Sequence, residues 1–186
     1  MNTVQPIRDR QKLEDLKEEL KKKGTRDYML FYTGINSGMR VSDIVKLTKD
    51  DIRNSDGTMK QHITVIEKKT GKQKRFPLCN GLLVEMEKYT RNMQTGEYLF
   101  KSRKGDNKPI STVQAYRIIN RAAKRIELEE IGTHTMRKTF GYWHYQQYKD
   151  IAILQEIFNH SSPSVTLLYI GINQDNIDNS YMNFSL

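Results

Sequence analysis

Leu13, Leu16 and Leu20 recur at helical spacing among charged neighbours, so residues 10–23 are predicted as an amphipathic helix that Gly24 terminates. Residues 26–37 read as a second helix with Tyr28, Leu30, Phe31 and Ile35 available to a core. Ser42 is expected to cap the short helix of Val-Ser-Asp-Ile-Val-Lys-Leu, since its hydroxyl can satisfy an early backbone N–H. The period then changes. His62-Ile63-Thr64-Val65-Ile66 is β-branched, and Lys74-Arg75-Phe76-Pro77-Leu78 can pair with it across a Thr70-Gly71-Lys72 turn. Pro77 confines the second run to an edge or a strand end. Helical patterns return at 81–91, 112–125, 134–148, 151–158 and 164–170, with a short tail helix near 175–182. The expected class is α+β, mainly α, with one small antiparallel β-sheet. No internal repeat or Pro/Gly/Ser-rich linker divides the chain, so residues 1–186 are read as a single domain carrying a C-terminal tail at 174–186.

Composition narrows the partners. No apolar stretch approaches the roughly 18–20 residues a bilayer requires, so no membrane partner is expected. The first residues lack an apolar signal-peptide core. A lone cysteine, Cys79, makes no internal disulfide and no cysteine-cluster metal site. These features suit a reducing cytoplasm. The formal charge is +9, and the excess is clustered. Lys68, Lys69, Lys72, Lys74 and Arg75 crowd the predicted hairpin. Lys101, Arg103, Lys104 and Lys108 form a second group, and Arg121, Lys124 and Arg125 a third. Such clusters fit a polyanion, because each neutralised phosphate releases counterions. They equally fit a solvated basic surface.

Four stretches hold groups suited to a phosphodiester. In Ser37-Gly38-Met39-Arg40-Val41-Ser42-Asp43, Arg40 precedes a helix start, and a guanidinium can grip two phosphate oxygens at once. In Glu67-Lys68-Lys69-Thr70-Gly71-Lys72, a lysine on a turn can enter a groove and protonate a leaving oxygen. In Gly132-Thr133-His134-Thr135-Met136-Arg137, the imidazole and guanidinium are three residues apart, on one face of a helix starting near Thr133. In Phe158-Asn159-His160-Ser161-Ser162-Pro163 and onward to Tyr169, Ser162 caps a helix with Pro163 in its first turn and Tyr169 near its end. Taken singly, each is also what an ordinary surface arginine, lysine-rich turn, capped helix or core tyrosine would look like. His62 and His144 are read as structural, and Tyr142, Tyr145 and Tyr148 as packing or DNA-backbone residues.

In this order the four stretches resemble the tyrosine recombinases of the phage integrase family, over roughly residues 25–171. The matching pieces are Gly-Met-Arg-Val-Ser-Asp-Ile, Lys-Lys-Thr-Gly-Lys leading to Pro-Leu, His-Thr-Met-Arg-Lys-Thr-Phe, and Asn-His-Ser-Ser-Pro-Ser-Val-Thr-Leu-Leu-Tyr. The family usually has Leu-Gly-His where this chain has Phe158-Asn159-His160, and often His where it has Gly171. Most relatives also carry an N-terminal helical DNA-clamping domain, which the residues before the resemblance are too few to form.

The resemblance implies the family's helical catalytic core and site-specific recombination through a covalent 3′-phosphotyrosine on Tyr169, with no metal and no other cofactor. By the same token Arg40 and Arg137 hold the scissile phosphate, His134 accepts the proton of Tyr169, His160 hydrogen-bonds the phosphate, and Lys69 protonates the departing 5′-oxygen. Lys68, Lys72, Lys74 and Arg75 are expected on the DNA. The implied partner is double-stranded DNA, bound as a tetramer on two sites by a protein that is monomeric in free solution, DNA-associated, and bacterial or phage-encoded. Two rivals stay open on sequence grounds. One is a non-catalytic DNA-binding accessory or regulatory protein, the other a related enzyme that relaxes supercoils in one duplex.

Overall fold

The computed structural model describes residues 4–66, 71, 73–132, 134–172 and 181–185. Lys68, Lys69 and Lys72 lie outside the described residues, as does most of the predicted tail helix. α1 (Arg10–Lys23) starts where the Asp9 carboxylate accepts from the backbone N–H groups of Gln11 at 2.6 Å and Lys12 at 3.2 Å. Such a cap contributes about 0.5–2 kcal/mol. Gly24 ends it, as the pattern predicts. Leu16 and Leu20 are fully buried and join Met29, Leu30 and Phe31 of α2 (Thr25–Ser37) in the main core. α2 stops at Gly38, whose φ of 64° is left-handed and whose missing Cβ would meet the Phe140 ring at 2.5 Å. Any side chain there would meet both backbone strain and a clash.

That early stop moves the next helix. α3 (Val41–Ile44) has Arg40 as its N-cap, so Ser42 lies inside the helix and not at its cap. The Ser42 hydroxyl donates to the Asp43 carboxylate at 3.4 Å instead of accepting from the backbone. One turn the periodicity does not reveal, α4 (Lys49–Ile52), is held by a capping box between Thr48 and Asp51.

β1 (His62–Ile66) and β2 (Gln73–Pro77) form an antiparallel pair with Ile63 opposite Phe76 and Thr64 opposite Arg75. Ile63 and Phe76 are buried, and Arg75 points outward. Pro77 ends the second strand, one residue short of the predicted Leu78. α5 (Asn80–Thr90) and α6 (Thr112–Arg125) complete the larger body, the latter capped by Ser111 accepting from Gln114 at 3.1 Å.

α7 (Thr135–Tyr148), α8 (Ile151–Phe158) and α9 (Pro163–Ile170) follow. Met136 of α7 joins the main core. Phe140, Tyr142 and Tyr145 turn to a second, smaller core of Leu154, Phe158, Ile170 and Ile172. Gly141 permits this approach, because a Cβ there would lie 2.7 Å from both Phe158 and Ile170. α7 is thus the spine between a large cluster and a small one, and α8 and α9 belong to the small one. The architecture is α+β and mainly α, as expected, with a two-stranded sheet among the described residues. None of the described helices is long and apolar enough to cross a membrane.

Candidate active site

Arg40 follows the fully buried Met39 and leaves an exposed guanidinium at the N-terminus of α3. Its charge acts on His134, Arg137, His160 and Tyr169 alike. Arg137, on the first turn of α7, is only 4% exposed. It donates to the Gly38 carbonyl and, at 3.1 Å, to the Phe158 carbonyl, with its guanidinium 4.4 Å from the Phe158 ring centroid. One side chain therefore ties the end of α2 to the end of α8. Burial pulls its pKa down to about 10, so it remains a cation at neutral pH.

His134 is the N-cap of α7, one residue before the helix, and not a member of its first turn as the spacing predicts. The Thr135 hydroxyl accepts from the Gly132 N–H at 2.9 Å, and the His134 side chain makes no capping bond. Its Nδ1 lies 3.2 Å from the Tyr169 hydroxyl. Burial, then the charges of Lys138, Arg137 and Arg40, hold the imidazole below its ordinary pKa. In the tautomer with Nδ1 unprotonated, the imidazole accepts and the phenol donates.

His160 leaves α8 through Asn159, whose φ of 54° is left-handed. This accounts for the departure at that position, because asparagine is the side chain that best tolerates the conformation glycine favours. The His160 Nδ1 lies 3.1 Å from the Thr166 hydroxyl, which also donates to the Ser162 carbonyl at 3.2 Å. Burial and then the charges of Arg137, Arg40 and Lys74 depress its pKa.

Tyr169 stands in the last turn of α9, and Ser162 caps that helix by accepting from Val165 at 3.3 Å. Its ring meets His160 at 4.9 Å, Phe158 at 5.4 Å and His134 at 6.2 Å, all edge-to-face. The Lys138 ammonium lies 5.2 Å from the ring centroid. Burial pushes the phenol above its ordinary pKa, and Arg137 and Arg40 pull against that.

The structure thus brings Arg40, His134, Arg137, His160 and Tyr169 around one point. Lys69 falls outside the described residues, so its relation to that point is an expectation only. Lys74 is half-buried and donates to the Ile157 carbonyl beside the site, while Arg75 is exposed on the opposite face of the hairpin. Sequence reasoning missed three neighbours. Asp43 supports the Arg137 charge, Thr166 orients His160, and Lys138 flanks Tyr169. Asp43 stands in the quoted Arg40 stretch and Thr166 in the stretch leading to Tyr169, so both could have been found there.

The second and third basic clusters also meet. Lys23, Arg26, Arg103, Lys104, Arg117 and Arg121 line an open cleft of about 710 Å³ between α1, α6 and the 102–104 loop. A concentration of cations on one surface is the footprint expected for a polyanion.

The phage integrase family model matches residues 8–175 of the chain. The chain is 50% identical over 184 residues to the probable integrase/recombinase YoeC of Bacillus subtilis, covering 99% of this chain and 98% of that one. It is 31% identical over 159 residues to the tyrosine recombinase XerC of Neisseria meningitidis, covering 84% of this chain and 50% of that protein. The chain therefore spans nearly the whole of one relative and about half the length of the other. Its fold is that of a crystal structure of XerA recombinase, with a TM-score of 0.75 at 20% identity over 97% of this chain and 63% of that one. A pre-cleavage complex of the XerH recombinase with its difH substrate gives a TM-score of 0.70 at 19% identity, over 90% of this chain and 50% of that one.

Proposed function

The chain belongs to the phage integrase family, and on that premise we propose that it breaks and rejoins DNA strands by site-specific recombination, with Tyr169 as the nucleophile. The observation that carries this reading is the 3.2 Å contact between the Tyr169 hydroxyl and His134 Nδ1, with the Arg137 charge bearing on the same phenol. Phosphoryl transfer needs a positioned nucleophile, an acceptor for its proton, cations on the non-bridging oxygens and a proton for the leaving oxygen. His134 takes the phenolic proton. Arg40 and Arg137 neutralise the charge that develops on the phosphate, and His160, its ring held by Thr166 at Nδ1, hydrogen-bonds the phosphate. The Tyr169 oxygen bonds to phosphorus as the bond to the 5′-oxygen breaks. The strand keeps a 3′-phosphotyrosine, and a 5′-hydroxyl from another strand reverses the step. Incubation with nicked trapping duplexes from a randomised library tests this directly. A covalent protein–DNA adduct that maps to Tyr169 is expected, and binding without any adduct would favour an accessory role.

Lys69, which falls in the sequence between β1 and β2, is the proposed donor to the 5′-oxygen. Lys69→Ala should slow cleavage on the order of 10²-fold, the usual size of a lost general acid. A 5′-bridging sulfur in the DNA should restore the rate, because a thiolate leaves without a proton. Rescue seen with Lys68→Ala and not with Lys69→Ala would move the role by one residue.

The DNA partner itself rests on the same reading, with the basic cleft and Arg75 as backbone contacts. We assign residues 1–186 to one catalytic domain with a tail from Gln174, and a tetramer on two sites assembled from free monomers. Tyr181, Met182 and Phe184 of the tail are 80%, 85% and 69% exposed, which is apolar surface available to a neighbouring protomer. Deleting residues from Gln174 onward should weaken recombination at least about tenfold more than binding to a single site, as loss of a docking contact of ~1.4 kcal/mol would. Normal recombination by the truncated protein would remove the tail from assembly.

A further inference from the structure

Lys138 lies one helical turn beyond His134, on the same side of α7, and the mechanism above gives it no part. Its ammonium is not splayed into solvent. It donates to the Val4 carbonyl at 2.7 Å and lies 5.2 Å from the centroid of the Tyr169 ring. The segment that supplies this carbonyl is itself tied down along α7 and its approach. Gln5 N–H donates to the Glu130 carbonyl at 3.1 Å, Ile7 N–H to the Thr139 hydroxyl at 2.9 Å, and Trp143 Nε1 to the Ile7 carbonyl at 3.0 Å. Arg8 of the same segment reaches the Gly171 carbonyl at 3.3 Å, directly after the nucleophile helix. Residues 4–8 therefore act as a strap across α7 that aims one ammonium and steadies the end of α9.

We propose that Lys138 is a positioning residue of the cleavage step, an ammonium fixed by the Val4 carbonyl beside the His134–Tyr169 pair, where it disfavours a proton on the imidazole and favours negative charge on the phenol. The proposal deepens the recombinase reading and rests on it for the word cleavage. The electrostatic part stands without it. A cation near a second ionisable group destabilises its protonated, cationic form. A cation over an aromatic face is drawn to the ring and favours the ring's anionic state more. Lys138 is the largest charge acting on His134 after burial. The other groups facing this pair are Arg137 on α7, Arg40 ahead of α3, and His160 and Tyr169 across the α8–α9 turn. Arg8 bears on Lys138 itself from the strap. The net effect is a histidine that enters the reaction as a base and a phenol that enters with less resistance to losing its proton.

The chain has four histidines, so their imidazole resonances can be titrated individually by NMR without any DNA. Lys138→Met and Lys138→Gln remove the charge and keep most of the stem, and Lys138→Arg keeps the charge. Removing the cation should raise the His134 midpoint by about half a pH unit, while Lys138→Arg leaves it near the parent value. His62, on β1, should not move in any variant. In the cleavage assay, the acid limb of the rate profile should move up by the same amount in the two neutral variants and return in Lys138→Arg. An unmoved His134 in both neutral variants, or equal movement in the arginine variant, overturns the proposal. So does movement of His62 together with His134, which would mark a general loosening. A titration that behaves as expected in a chain that forms no adduct would leave the electrostatic role intact and overturn the recombinase reading instead.

Discussion

Tyr169→Phe should abolish the covalent protein–DNA adduct, a loss on the order of 10⁴-fold or more for an absent nucleophile, while leaving the fold and the DNA affinity in place. The ring would keep its edge-to-face contacts with His134, Phe158 and His160, which are contacts of carbon and not of the hydroxyl. The 3.2 Å hydrogen bond to His134 Nδ1 and the hydroxyl's interaction with Arg137 disappear, and Tyr169 is half-buried, so the cost to stability should stay within about 1 kcal/mol. The contrast between an unchanged melting temperature and a vanished adduct is what separates a nucleophile from a packing tyrosine. Thermal denaturation, a gel-shift titration and a denaturing gel on the same preparation measure all three. A persistent adduct would move the nucleophile elsewhere, with the exposed Tyr181 next to be tested.

The types of residue in the site were legible in the sequence because their spacing is local. His134 and Arg137 are three residues apart at the start of α7, and Tyr169 follows the clear Ser162-Pro163 start of α9. Helix ends were legible where a residue marks them, as Gly24 does for α1 and Ser162 with Pro163 for α9. The start of α3 was misread because Ser42 has the right chemistry for a cap. The left-handed Gly38 turned the chain earlier, and no local pattern says that Phe140 fills the space where its Cβ would be. α4 escaped because a single turn is too short for periodicity, although its Thr48-to-Asp51 box was there to read. Lys138 and Arg8 were invisible for a different reason. Their partners Val4 and Gly171 lie 134 and 163 residues away along the chain, so only the folded strap brings them together.

Arg137 should prove the residue whose loss costs both stability and chemistry. At 4% exposure it donates to the Gly38 and Phe158 carbonyls, and alanine would leave both acceptors buried without that donor. An unsatisfied buried group costs about 1–3 kcal/mol, so Arg137→Ala should destabilise by roughly 2–4 kcal/mol. For a chain of this size that lowers Tm by roughly 5–12 °C. The ends of α2 and α8 would also lose the tie that sets Arg40 and His160 around the Tyr169 hydroxyl. Adduct formation should fall on the order of 10³-fold, the size of a lost oxyanion donor compounded by misplacement. Arg137→Lys separates the two effects. It keeps a cation, but a single ammonium cannot span two carbonyls and a phosphate as a planar fork does. Its Tm should therefore recover part of the loss, while cleavage stays depressed on the order of 10²-fold. If Arg137→Lys cleaved at the parent rate, the fork geometry would be irrelevant to the phosphate and the residue's part would be structural alone.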